Sequence, residues 1–223
     1  MLKELYNKAK EENSDLVICD YYEVYDNEKK YKEAMKKYSE DNKINYMLSN
    51  TSPWNKLIKT QIMRENNIKF LEHHIYEDMA TMPILIGYIN KVSYLKKPLY
   101  NYIIRTGSTM RQQTYNKKIE SIFVAIDYLL KEFKERKLNE KYSEELEYIV
   151  IEHLLYAGTG RFLQYEEGKG KLKEIKKIMN NDYPNWKKNK YYKKQNLKFK
   201  VTCNIFYIQN AILIKIYGII RNK

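Results

Sequence analysis

The run Leu16-Val17-Ile18-Cys19-Asp20-Tyr21-Tyr22 constrains this chain more than any other stretch. It begins as four apolar residues in a row. It follows Leu2, Leu5, Tyr6 and Ala9, which stand at helical spacing, after a break at Ser14-Asp15. A short apolar run without alternation reads as a strand covered on both faces, parallel and central in its sheet. Such a strand needs neighbours on both edges, and the rest of the chain offers few. Asn55 to Ile58, Lys91 to Leu95 and Leu99 to Ile103 are short extended candidates, the last two separated by Lys97-Pro98. The 223 residues hold only 7 Gly and 4 Pro, so helices are favoured over a many-stranded sandwich.

The remaining pattern is largely helical. Tyr31 to Asn50 is moderately helical, after a charged turn at Asp26 to Lys30. Thr60 is placed to cap a short helix to Asn67, and Ile68 to Leu71 is extended. Glu77 to Asn90 carries Met79, Met82, Leu85, Ile86 and Ile89 on one helical face. From Asn116 onward the spacing predicts helices over Lys117–Lys137, Tyr142–Tyr165 and Lys171–Asn180, with Gly158-Thr159-Gly160 as an interruption. The expected organisation is an α/β domain over residues 1–112 and a mostly α-helical C-terminal domain over residues 113–223.

With 43% hydrophobic residues the chain can fill a core, and disorder throughout is excluded. The formal charge of +13 favours anionic partners, although Lys, Asn, Ile and Tyr are abundant together, as in an AT-rich coding sequence. Cys19 and Cys203 lie too far apart for a metal motif or a disulfide framework and fit a reducing cytoplasm. Met1 to Leu5 is charged at once, with no signal-peptide core. Between Asp182 and Lys194, Trp186, Tyr191 and Tyr192 alternate with lysines. That composition suits single-stranded nucleic acid, an inter-helix loop or a membrane surface. The nucleic-acid reading is the weakest of the three. Val201 to Ile220 is the most apolar stretch, too interrupted for a spanning helix. Its basic flanks, Lys198, Lys200, Arg221 and Lys223, suit peripheral contact of residues 198–223 with the inner membrane face; a terminal core helix is the alternative.

The chemically pointed residues concentrate between Pro53 and Met110. In order come Pro53-Trp54-Asn55-Lys56-Leu57-Ile58-Lys59, Tyr76-Glu77-Asp78, Lys97-Pro98-Leu99-Tyr100-Asn101-Tyr102, and Arg105-Thr106-Gly107-Ser108-Thr109. These blocks, in this order, resemble family 2 (GT-A type) glycosyltransferases of the bacterial branch that builds capsular, exopolysaccharide and cell-wall sugars. The resemblance covers Met1 to Met110. It implies a partial GT-A domain, a Rossmann-like sheet remnant, followed by a variable helical extension. The family's nucleotide-binding half, with its Asp-x-Asp metal motif, has no counterpart here: neither Asp15 nor Asp20 has an acidic partner two residues away.

By resemblance, Asp78 is the general base of an inverting transfer, and Glu77 orients the site or binds acceptor hydroxyls. Two adjacent carboxylates at a helix start also complement the helix dipole, so a structural role is open for both. Trp54, Asn55 and Lys56 would meet the acceptor, by stacking and by hydrogen bonds, although Trp54 fits a core anchor equally. Arg105, Ser108 and Thr109 would meet the diphosphate, or form a plain polar turn. His73, His74 and His153 read as structural or surface groups. The complete enzyme would use Mn²⁺ or Mg²⁺, a nucleotide-sugar and a glycan or lipid-linked acceptor. This chain alone is expected to hold no metal. A sheet edge left open is expected to allow a homodimer. The alternative is a non-catalytic module that binds a protein, membrane or anionic partner through its basic helical part.

Overall fold

A computed structural model describes residues 1–105 and 114–214. They form two compact units. The first comprises Met1–Gln113 with Val124–Leu138, and the second Thr114–Phe123 with Asn139–Lys223. The architecture is mixed α/β followed by helices.

In the first unit, helix α1 (Leu2–Glu12) ends where Asn13 turns left-handed, and strand β1 (Leu16–Val24) follows. Leu5 from α1 packs with Val17 and Cys19 of β1 in one buried cluster. The apolar start of β1 is buried throughout, as its sequence predicts. Strand β4 (Val92–Ile103) pairs with β1 in parallel along its whole length. A strand has two edges, so the antiparallel partners β2 (Lys29–Lys32) and β3 (Lys56–Ile58) divide the other. Of these, β3 takes Leu16 to Ile18 and β2 takes Tyr21 to Val24.

Two sequence expectations change here. Lys91–Leu95 and Leu99–Ile103 are one strand, because the break at Lys97-Pro98 falls where the ladder with β1 already shifts register. Pro98 stands opposite Asp20, between the two shifts. A proline costs little where no ladder bond is made. Tyr31 to Asn50 is helical only at α2 (Asn42–Met47). Elsewhere side chains hold its backbone. Asp20 Oδ1 accepts Ala34 N–H at 2.8 Å, and Asn45 Oδ1 accepts Tyr38 N–H at 2.7 Å and Ser39 N–H at 2.8 Å.

After β3 come α3 (Thr60–Glu65) and then α4 (Glu77–Thr81), which runs into a 3-10 turn over Met82–Gly87. Met79, Met82, Leu85, Ile86 and Ile89 are buried, but so are Ala80, Thr81, Pro83 and Ile84, so the segment is buried on all sides rather than on the one face expected of a helix from Glu77 to Asn90. Tyr46 donates its hydroxyl to Met82 O beneath this turn. Helix α5 (Ser121–Glu135) contributes its later residues to this unit. There Arg136 binds Glu132 Oε2, Tyr88 Oη at 2.8 Å and Asn66 O at 2.9 Å.

The second unit holds α6 (Ser143–Val150), a π-helical stretch Ile151–Gly158, α7 (Thr159–Phe162), α8 (Lys169–Asn181), α9 (Lys190–Lys194) and α10 (Leu197–Ile208). Gly158-Thr159-Gly160 does not interrupt the helix, since Gly158 and Thr159 both keep right-handed helical angles. Trp186, Tyr191 and Tyr192 are buried. Trp186 packs edge-on against Tyr192 at 4.9 Å and Tyr207 at 5.5 Å. These rings build the core of the unit, which removes the stacking platform that a nucleic-acid reading of Asp182 to Lys194 requires. No described helix is long and apolar enough to cross a membrane.

Asp15 fastens the start of β1. Its Oδ1 accepts Lys59 Nζ at 2.7 Å, and its Oδ2 accepts the backbone N–H of Asn90 at 2.6 Å and Lys91 at 3.3 Å. Burial pushes this carboxyl upward, but Lys59 and the two N–H groups outweigh it and hold it below the ordinary carboxylate range. A carboxylate with a depressed folded-state pKa stabilises the fold above its unfolded value and loses that contribution as pH falls through the folded value. Asp15→Asn should therefore cost about 1–2 kcal/mol near neutrality in urea melts. The difference from wild type should shrink as pH drops below about 4. A pH-independent difference would contradict the assignment.

Candidate active site

The site is built on the segment that leads into β3. Pro53 opens a 3-10 turn over Pro53–Asn55, where its fixed φ suits the first position and its missing N–H is not needed. The turn directs three successive side chains into different surroundings.

Trp54 is half-buried in an aromatic group. It stacks on Tyr100 at 4.5 Å and Tyr102 at 5.2 Å and meets Tyr21 edge-on at 4.8 Å. Tyr100 and Tyr102 alternate along β4 and so share a face. Asn50 donates to Tyr21 Oη at 3.2 Å.

Asn55 is fully buried. Its amide donates to Cys19 O at 2.7 Å, and its backbone oxygen accepts from Cys19 Sγ. Its side-chain oxygen accepts Lys56 Nζ at 3.0 Å. This polar group pins the turn to β1 and is spent on protein partners. It supports the site from beneath rather than facing an acceptor.

Lys56 is buried as well. Its ammonium donates to Asn50 O at 2.7 Å, Ser52 O at 2.6 Å and Asn55 Oδ1 at 3.0 Å, one acceptor for each proton. Burial pushes its pKa down to about 7, while the negative charge of Asp78 pulls it upward. The three acceptors favour the ammonium further, because a neutral amine would turn a lone pair toward one of them.

Asp78 lies in the first turn of α4 and is half-buried. The helix follows Tyr76, whose φ of 70° is left-handed, and His73 nearby has φ 62°. Left-handed backbone at non-glycine residues is uncommon, and such strain gathers at functional sites. Burial raises the Asp78 pKa. Met79 N–H, which donates to Oδ1 at 2.7 Å, acts against this; the neighbouring Glu77 charge adds to it, and the Lys56 charge opposes it. The result is a carboxylate more basic than usual beside a buried cation. Glu77 is exposed on the same turn. Arg105 is exposed at the last described residue before 106–113, and Ser108 and Thr109 lie outside the described residues.

Sequence reasoning did not single out Tyr21, Tyr100 and Tyr102. The Tyr100-Asn101-Tyr102 alternation was their only signal. It also missed the buried carboxylate of Asp20, which accepts the hydroxyls of Tyr31 and Tyr94. That contact pushes the Tyr31 phenol up to about 12, and burial together with Asp20 raises Tyr94. Tyr94 also lines a cavity of about 310 Å³ with Glu33, Lys36, Lys37 and Lys96, which does not include Asp78. Among the described residues no three His, Cys, Asp or Glu side chains converge on a metal site.

No protein-family model matches the sequence, and no curated protein matches it significantly.

Lys56→Met keeps the length of the side chain but leaves Asn50 O, Ser52 O and Asn55 Oδ1 without their donor. The expected cost is about 2–4 kcal/mol in chemical denaturation, larger than for an ordinary surface lysine. Unchanged stability would mean that the ammonium does not hold this turn.

Proposed function

We propose that the first unit is the acceptor-side part of a GT-A type, family 2 glycosyltransferase, with Asp78 as its general base. The observation that carries this reading is the half-buried Asp78 carboxylate, its basicity raised by burial, two residues after the left-handed Tyr76 and within the field of the buried Lys56. A sugar hydroxyl is a weak nucleophile, so transfer needs a base that removes its proton as attack proceeds. The acceptor oxygen bonds to the anomeric carbon, the bond from that carbon to the nucleoside diphosphate breaks, and the acceptor proton passes to Asp78. Configuration inverts in this single displacement. The Lys56 charge contributes to the field at Asp78, and Trp54 with Tyr100 and Tyr102 provides an aromatic surface in the same unit.

The donor is a nucleotide-sugar, and the acceptor a glycan or lipid-linked saccharide of the cell surface. In this proposal a nucleotide-binding half acts with this unit, in the same polypeptide or as a partner. Its use of Mn²⁺ or Mg²⁺ is part of the same proposal. A second reading, a non-catalytic module that binds a partner through its basic helical part, is favoured by the exposure of Leu197 and Val201 on α10.

In the protein completed by such a half, Asp78→Asn should lower transfer about 10²–10⁴-fold, followed as nucleoside diphosphate release, while donor affinity is unchanged. Full turnover in Asp78→Asn would sink the assignment. Calorimetry of the 223-residue chain with UDP-glucose and Mn²⁺ should show no tight binding; a micromolar Kd would contradict the division of labour proposed here.

A further inference from the structure

Helix α10 (Leu197–Ile208) is apolar on two opposite sides. Thr202, Cys203 and Phe206 are buried in the second unit. Leu197, Val201 and Ile208 are 76%, 46% and 50% exposed. At about 100° per residue these three fall within about 40° of one another, on the side away from Phe206. Ile212, just beyond the left-handed cap at Gln209, is 69% exposed. A helix buried on one side ordinarily turns polar residues outward. This one turns Leu197, Val201 and Ile208 outward as a stripe, with Asn204 among them, its amide donating to Lys200 O at 2.8 Å and Tyr192 Oη at 3.1 Å.

Lys198 and Lys200 stand about 80° to either side of that stripe. From Tyr183 to Ile214 there are seven lysines and no acidic residue. An apolar stripe bordered by cations is the arrangement of a helix that lies in a lipid interface, with lysine stems along the acyl boundary and their charges among headgroups. Lys190 is paired with Glu144 and Glu145, and the Glu152 charge reaches Cys203, but the excess of lysines along this stretch favours an anionic lipid surface over a neutral protein face.

A cleft of about 320 Å³ adjoins the same helix. Lys198, Phe206, Arg161, Gln164, Gly160 and Tyr156 line it. Its lining thus combines two cations and an amide with two aromatic rings. Tyr156 belongs to the π-helical stretch, a distortion often found at functional positions. Gly160 leaves the space in which a side chain would approach Phe206, since a Cβ there would lie 3.4 Å from the ring.

We propose that the second unit docks on an anionic lipid surface through the outward face of α10, with a headgroup phosphate seated in the cleft between Arg161 and Lys198. Leu197 and Val201 enter the interface, and the forked guanidinium of Arg161 receives the phosphate. The proposal does not depend on glycosyl transfer. Asp78→Asn is expected to bind vesicles as the wild type does, so failure here and failure of the enzymatic reading are separable.

The test is co-sedimentation of the full 223-residue chain with phosphatidylcholine vesicles, with and without phosphatidylglycerol. Binding should require phosphatidylglycerol and weaken with added salt. Leu197→Glu/Val201→Glu should lower affinity about tenfold or more. Both residues are exposed, and an unchanged thermal melt verifies the fold. Arg161→Gln/Lys198→Gln should weaken binding more than the charge-matched control Lys187→Gln/Lys188→Gln; equal loss would remove the cleft from the proposal. Three results would overturn the proposal: no binding to phosphatidylglycerol vesicles, competition by inorganic phosphate, which marks a site for a free anion, and a dimer in sedimentation that Leu197→Glu/Val201→Glu abolishes, which assigns the stripe to a second copy.

Discussion

A buried ammonium with three acceptors organises the first unit. Lys56 holds the carbonyls of Asn50 and Ser52 and the side-chain oxygen of Asn55, while Asn55 clamps Cys19 in β1. Desolvating a charge is costly unless its hydrogen bonds are satisfied, and here each proton is. The turn over Pro53–Asn55 is therefore fixed against the central strand. Trp54 is held at Tyr21, Tyr100 and Tyr102 as a consequence. The same charge reaches Asp78 from a separate part of the chain. Burial raises the carboxylate's basicity, the Met79 N–H acts against it, and the charges of Glu77 and Lys56 adjust it in opposite directions.

The elements that rest on local pattern were legible in the sequence. The apolar run Leu16 to Cys19 became the strand paired on both edges, and the apolar content of Met79 to Ile89 marked a buried segment, although it is buried on every side rather than on one face. What was not legible depends on long-range contacts. Pro98 looked like a strand break, yet it stands opposite Asp20 where the ladder shifts register. Tyr31 to Asn50 had moderate helical character, but buried side-chain acceptors of Asp20 and Asn45 claimed its N–H groups.

Within the candidate site, residue type did not give the direction of each side chain. Asn55 and Lys56 are polar and follow a tryptophan, which suggested an acceptor-facing row. A 3-10 turn followed by a strand sends neighbouring residues different ways, and both of these are buried. In the second unit Trp186, Tyr191 and Tyr192 lie among lysines in sequence and in the core in space, because the lysines between them take the exposed positions. The stripe on α10 was visible as apolar content, but only its burial pattern distinguishes the side that faces the core from the side that faces outward.

The coupling between Lys56 and Asp78 is the centre of this account, and a carbon-13 NMR titration of the Asp78 carboxyl measures it directly. Its midpoint should lie above the ordinary aspartate value of about 3.9 and move higher in Lys56→Met, where the compensating charge is gone. A midpoint at or below that ordinary value, or one that Lys56→Met leaves in place, would contradict the account.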